Sequence, residues 1–307
     1  MRNSLANIHP FSKFIFALFI ILVVFLLTFI VGLLVAIPIF QINIADLTQF
    51  LSNYNDPDNL RFLKFLQTIQ AFGLFIVPAF IIGFLFHSNP ASYLKFYSTN
   101  KRLYALTAFI ILASIPLINA IAVFNQSMHF PEWMGGLENW MREKENSAQE
   151  LTEAFLRMDS FGSLLFNIFM IGILPALGEE LIFRGVLQRI FAEWTKNIHW
   201  GIALAAIIFS AMHMQFYGFL PRLLLGVILG YLFYWSGSIW VPIIGHFVNN
   251  TVAVIAYYLY GNEMNRDIEN FGASGDSVIY FVVGILMIVP LVYLFYKESK
   301  KLEIKDS

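Results

Sequence analysis

FGSLLFNIFMIGILPALGEELIFR, residues Phe161 to Arg184, decides how this chain is read. From Phe161 to Gly178 there is no charged residue, and then Glu179 and Glu180 stand side by side, with Arg184 four positions after the second. An apolar run of this length reads as a helix that crosses a bilayer. Carboxylates at membrane depth are expensive, and where they occur they face a protein interior or a watery cavity and have a partner. Two in succession mark the place where chemistry is expected.

The rest of the chain supports a membrane setting. Of 307 residues, 58% are hydrophobic and only 13% charged, against about a quarter charged in ordinary soluble domains. The net charge of −1 argues against nucleic acid as a partner, and the absence of cysteine removes disulfides, thiolate nucleophiles and cysteine-bound metals. The apolar run Phe14 to Phe40 is too long for a signal-peptide core and suits a spanning helix. Eight hydrophobic spans are expected, at 14–40, 64–86, 103–124, 161–183, 199–216, 220–235, 239–260 and 278–296, the fifth and sixth short. The expected fold is an all-α polytopic membrane bundle forming one domain over 1–307. In the sixth span Gly226 and Gly230 form a small-xxx-small pair, whose expected meaning is close helix packing.

With the N-terminus in the cytoplasm, twelve lysines and arginines fall on inner segments and seven on outer ones, which places both termini inside. The outer bases are Arg61, Lys64, Arg142, Lys144, Arg157, Arg222 and Arg266. The one sizeable extramembrane piece is 126–160. Its apolar residues recur at helical spacing from Trp133 to Met158, so it reads as an outer amphipathic helix that lies on the membrane or caps the bundle, with a substrate lid as the lesser alternative.

On a helix Glu180 and Arg184 share a face and pair in the favourable order, acid first. Glu179 points about 100° away. One glutamate held by arginine beside one in apolar surroundings suggests divided roles, the second suited to a general base. The bland alternative is that both only bond arginine and helix ends. Two of six histidines are also set apart: His213 on the fifth span, in Phe209-Ser-Ala-Met-His213, and His246 on the seventh, one turn before Asn250. A glutamate that takes a proton from water, histidines that orient it, and amide or imidazole N–H groups that meet an oxyanion make a set for hydrolysis. Glu179, His213 and His246 are also candidate ligands for a divalent metal such as zinc, provided all three converge.

Glu-Glu-x-x-x-Arg at 179–184, Phe-x-x-x-His at 209–213 and His-x-x-x-Asn at 246–250, in that order on successive spans, resemble the CPBP or Abi family. Its members are type II CAAX prenyl endopeptidases and bacteriocin-processing or self-immunity membrane proteases. The resemblance covers about 160–260, which it marks as the catalytic core. It implies that Glu179 activates the attacking water with His213 beside it, that His246 and Asn250 stabilise the oxyanion, and that Glu180 and Arg184 brace the site. It further implies an eight-helix bundle around an intramembrane cavity in a prokaryotic cytoplasmic membrane. The substrate would be a membrane-associated peptide or protein, and nothing requires it to be prenylated. Metal-dependent and metal-free mechanisms both stay open. These residues can meet only if the fourth span continues past Arg184, towards Ile190. Pro175 is expected to kink that helix and make room. The rival classes are a non-catalytic scaffold or immunity protein, which would tolerate Glu179→Gln, and an ion- or proton-coupled transporter, which should show broken helices in two matching halves.

Overall fold

A computed structural model describes residues 3–42, 53, 56–269 and 277–305. Arg2, one of the bases used to orient the chain, lies outside the described residues. The described part is helical, with no strand. The helices are α1 (Pro10–Phe40), α2 (Pro57–Phe86), α3 (Lys101–Gln126), α4 (Gly135–Leu156), α5 (Phe161–Thr195), α6 (Ile198–Met212), α7 (Phe219–Ser236), α8 (Trp240–Glu269, with a break at Gly261) and α9 (Ser277–Lys305). Their starts are chemically marked. Asp56, Asn100 and Asn197 each accept from a backbone N–H of the first turn, and Ser160 forms a capping box with Ser163 at the head of α5.

Seven of these helices are long and apolar enough to cross a membrane. The expected fifth span is the exception. Helix α6 has 15 residues, about 22 Å at 1.5 Å per residue, against a hydrocarbon core of about 30 Å. The chain is thus an integral membrane protein. Its fifth apolar helix is shorter than the others, and the chain after it runs on through Phe216–Gly218 to the end of α3, where Asn125 donates to the Phe216 carbonyl at 3.1 Å, so the two ends of this segment still lie on opposite sides. The fourth, by contrast, runs unbroken through 35 residues to Thr195, well past Arg184, so the condition for bringing the motifs together is met. Neither Arg184, which is buried, nor Arg222, which faces an internal cavity, belongs among the loop charges that orient the chain. Removing one from each side leaves the bias towards inner bases in place.

Helix α5 lies at the centre. Every residue from Leu181 to Gln188 is buried, and Leu181, Phe183, Val186 and Ile190 pack with Phe209 of α6 and Phe233 of α7. A helix buried on all sides needs neighbours on all sides, and these are α2, α6, α8 and the start of α1, where Lys13 Nζ reaches Glu193 at 2.8 Å. Close approach depends on missing side chains. A Cβ on Gly178 would sit 2.7 Å from Phe75 of α2, and one on Gly226 or Gly230 would lie 3.0 or 2.8 Å from Ala206 or Ile202 of α6. The small-xxx-small pair therefore packs α7 on α6 as expected. Exposed apolar side chains such as Phe19, Leu27 and Leu34 on α1 and Leu286 on α9 form the greasy outer surface.

Helix α4 is the amphipathic piece expected at 126–160. Its first half is clamped to the bundle. Arg142 lies 4.4 Å over the Tyr217 ring, Trp140 packs on Phe216, and Glu145 accepts the Tyr217 N–H at 3.1 Å. Glu138 gathers Arg142 at 2.7 Å, the Phe130 N–H at 3.0 Å and His129 at 3.2 Å. Hydrogen bonding by Arg142 first, then by the Phe130 N–H and His129, pulls the Glu138 carboxyl down from 4.5 to about 2. A depressed carboxylate stabilises above its unfolded value and loses that contribution as pH falls through the folded value. Hydrogen exchange at the Phe130 amide and the first turn of α4, relative to the intrinsic rate, is therefore expected to accelerate as pH drops from 4.5 towards 2. Glu138→Gln should flatten that dependence. An unchanged profile in the variant would place the anchor elsewhere.

Candidate active site

Glu180 sits at the centre of the polar cluster. Its side chain is fully buried; Oε2 lies 3.0 Å from Arg184 Nε one turn on, and Oε1 lies 2.9 Å from His246 Nδ1 on α8. The Arg184 contact is ionic and too bent to count as a hydrogen bond. An ionised carboxylate only accepts, so His246 Nδ1 carries the hydrogen, a tautomer assigned from the network. Arg184 is 1% exposed and needs further partners. It donates through Nη2 to the Gly226 carbonyl at 3.2 Å and lies 5.0 Å over the Phe209 ring. One turn on, Gln188 donates to the Gly230 carbonyl at 3.1 Å. The two glycines thus pack α7 on α6 and also offer α5 their carbonyls, and at Gly230 a Cβ would come within 3.0 Å of Gln188 Oε1.

Glu179 has a different environment. Its side chain is 14% exposed, its Oε2 makes no hydrogen bond within the protein, and that oxygen lies 3.9 Å from His246 Nε2. His246 is therefore set between two carboxylates, one braced and one not. Glu179 opens on a cavity of about 460 Å³ that His213, Arg222, His246, Asn249 and Asn250 also line. Leu151, Phe155 and Leu156 of α4 close its far side, so this helix caps the site rather than only lying on the membrane. His213, at the end of α6, is held by its Nδ1 against the Phe209 carbonyl at 2.9 Å. A carbonyl only accepts, so the Nδ1 is protonated and Nε2 is the remaining nitrogen. Phe209 packs edge-on against both imidazoles.

Asn250 lines the same cavity, but its amide is engaged. Nδ2 donates to the Ile171 carbonyl at 3.0 Å. The reason lies in Pro175, which has no N–H to return to the residue four positions before it. The helix there loosens into a π segment, Ile168–Ile173, and Asn250 supplies the absent donor. A second π segment, Leu181–Leu187, follows the glutamates. One N–H of Asn250 remains for a ligand.

All six residues singled out from the sequence, Glu179, Glu180, Arg184, His213, His246 and Asn250, thus meet in one cluster. Among the described residues no three His, Cys, Asp or Glu side chains stand close enough together to hold an ion as placed; the Nδ1 contacts of His213 and His246 leave both Nε2 atoms unused. Sequence reasoning missed Gln188 and Arg222. Arg222 is held by the side chain and carbonyl of Gln215, and its guanidinium fills the space a Cβ on Gly218 would take. Its position one turn into a span, next to that glycine, was the available signal.

Residues 161–252 match the family model described as type II CAAX prenyl endopeptidase Rce1-like. The resemblance drawn from the three motifs is upheld over that segment, which holds the whole cluster. Two curated proteins of Bacillus subtilis (strain 168) are similar. "Uncharacterized protein YpbD" is 30% identical over 33% of this chain and 50% of its own. "Putative membrane peptidase YdiL" is 29% identical over 44% of this chain and 52% of its own. The chain thus spans about half the length of the curated relatives it matches. No solved structure matches.

The Pro175–Asn250 relation is directly testable. Asn250→Ala strands the Ile171 carbonyl and is expected to cost about 1–3 kcal/mol. In a Pro175→Ala background the restored N–H should remove much of that cost. A double-mutant cycle on thermal unfolding in detergent should show coupling of about 1 kcal/mol; strict additivity would refute the pairing.

Proposed function

We propose that this chain is an intramembrane endopeptidase that hydrolyses a peptide bond of a membrane-associated protein or prepeptide, with water activated by Glu179. The observation that carries this reading is the unequal treatment of two adjacent glutamates. Glu180 is buried and fixed by Arg184 and His246, whereas Glu179 opens on the cavity without a hydrogen bond of its own. The family match over 161–252 and the relative named as a membrane peptidase support it.

In this reading Glu179 takes a proton from water, and the hydroxide oxygen bonds to the scissile carbonyl carbon. The carbonyl oxygen becomes an oxyanion. Its donors are the unused N–H of Asn250 and, when Nε2 is protonated, His246, whose Nδ1–H stays on Glu180. The proton on Glu179 passes to the leaving nitrogen as the C–N bond breaks, leaving a carboxyl and an amine. His213, held at Nδ1 by the Phe209 carbonyl, presents Nε2 to position the water. Glu180 and Arg184 do not touch substrate; they keep His246 aimed. Closure by α4 keeps bulk water away, which strengthens each of these interactions. The membrane is proposed to be a prokaryotic cytoplasmic membrane.

The test is cleavage in proteoliposomes, using membrane proteins and prepeptides of the source organism as substrates. Glu179→Gln is isosteric and cannot accept the proton, so cleavage should fall by about 10²–10⁴-fold with the fold intact. A chelator should leave the rate unchanged. Loss on chelation with rescue by zinc would overturn the metal-free mechanism, and equal cleavage by variant and wild type would remove Glu179 from the reaction. A folded protein whose Glu179→Gln variant retains every function of the wild type would be a scaffold.

A further inference from the structure

Cations on the outer side of a membrane protein run against the usual bias and need a local reason. Of the seven bases placed there by the sequence, Arg61, Lys64 and Arg157 line one cavity of about 760 Å³ between the start of α2 and the α4–α5 connection. Among the described residues Asp159 is the one acid that lines it; Asp58, which pairs with Arg61 at 3.1 Å, is 78% exposed and lies outside the lining. The described lining thus holds three bases to one acid, with a second acid on Arg61 outside it. The remaining wall is apolar, from Leu60, Phe65, Met158 and Phe166, and Phe166 is also exposed on the bundle's outer surface.

Lys64 is the best-placed cation. Its ammonium donates to Asn167 Oδ1 at 3.1 Å, and the fully buried Asn167 in turn donates to the Phe155 carbonyl at 2.7 Å. An ammonium has three N–H groups, and this contact fixes one while the side chain lines the cavity. Cationic heads and apolar rings in one cavity suit a ligand with an anionic head and a greasy stem. Basic pockets between membrane helices take anionic headgroups in this way.

We propose that this cavity binds the phosphate headgroup of an anionic phospholipid, with Arg61, Lys64 and Arg157 around the phosphate and Phe65 and Phe166 along the first carbons of the acyl chains. The site is separate from the catalytic cavity and does not depend on what the latter does. A soluble phosphate ester offers the same head without the stem, and the apolar wall favours the lipid.

Native mass spectrometry of the detergent-purified protein, titrated with phosphatidylglycerol or phosphatidylcholine, tests this. Wild type is expected to hold phosphatidylglycerol about ten-fold more tightly or better. The double substitution Arg61→Gln/Arg157→Gln, at two exposed positions, should remove that preference; its Tm is measured too, because the Arg61–Asp58 pair is also lost. Lys64→Met should remove it too, with Tm read alongside because the Asn167 bond is also lost. Lys101→Gln, on the exposed start of α3, should leave it intact. Equal binding of both lipids, or a preference that survives the double substitution, would overturn the proposal. Glycerol phosphate binding as tightly as the lipid would show that the phosphate is recognised from solution and would overturn the lipid assignment.

Discussion

A fully buried carboxylate and guanidinium, Glu180 and Arg184, sit at the centre of the bundle, and much of the surrounding architecture answers to them. Bringing two charges out of water costs several kcal/mol each unless the geometry and further partners offset it. Here the partners come from three other helices. The Gly226 carbonyl of α7 accepts from the arginine, the Phe209 ring of α6 lies under it, and His246 of α8 donates to the glutamate. Replacing either charge would leave the other buried and uncompensated. The pair therefore ties α6, α7 and α8 to fixed positions around α5.

The same arrangement gives the two glutamates different work. Being neighbours in sequence, they face different ways on one helix, and only one direction holds a guanidinium. Glu180 spends both oxygens on orientation. Glu179 inherits the cavity, a nearby imidazole nitrogen and no internal hydrogen bond. The division needs no difference in residue type, only the helix's 100° per residue and an unequal set of neighbours.

How much of this is legible in the sequence depends on how far apart the interacting residues lie. The Glu180–Arg184 pair reads directly because i,i+4 spacing is local, and the apolar spans read from length and composition. His213, His246 and Asn250 stand out as polar residues on apolar helices, which marks them for a site without fixing their partners. That His246 bonds Glu180, 66 positions away, or that Asn250 completes the ladder opened by Pro175, rests on which helices become neighbours. Arg222 was hidden because a base near a span end reads as an orienting charge. Gln188 was hidden because its partner is a backbone carbonyl, which no side-chain pattern reveals. The shortness of α6 was masked by apolar residues continuing through the turn at 216–218.

The π segment at Ile168–Ile173 closes its hydrogen bonds over one residue more than an α-helix does. The two ends of α5 are therefore offset by one position relative to an uninterrupted helix. Upstream of it Asn167 is tied to Lys64 and Phe155, and downstream Glu180 is tied to Arg184 and His246. The inserted residue is what lets both sets of contacts hold at once. Deleting a single residue from the ordinary helical stretch that follows, between Leu174 and Gly178, would turn everything beyond it by about 100°. Glu180 would then arrive where Glu179 now opens on the cavity, and Arg184 would swing out of reach of the Gly226 carbonyl. Helix register, rather than the identity of any one side chain, thus decides which glutamate faces the cavity.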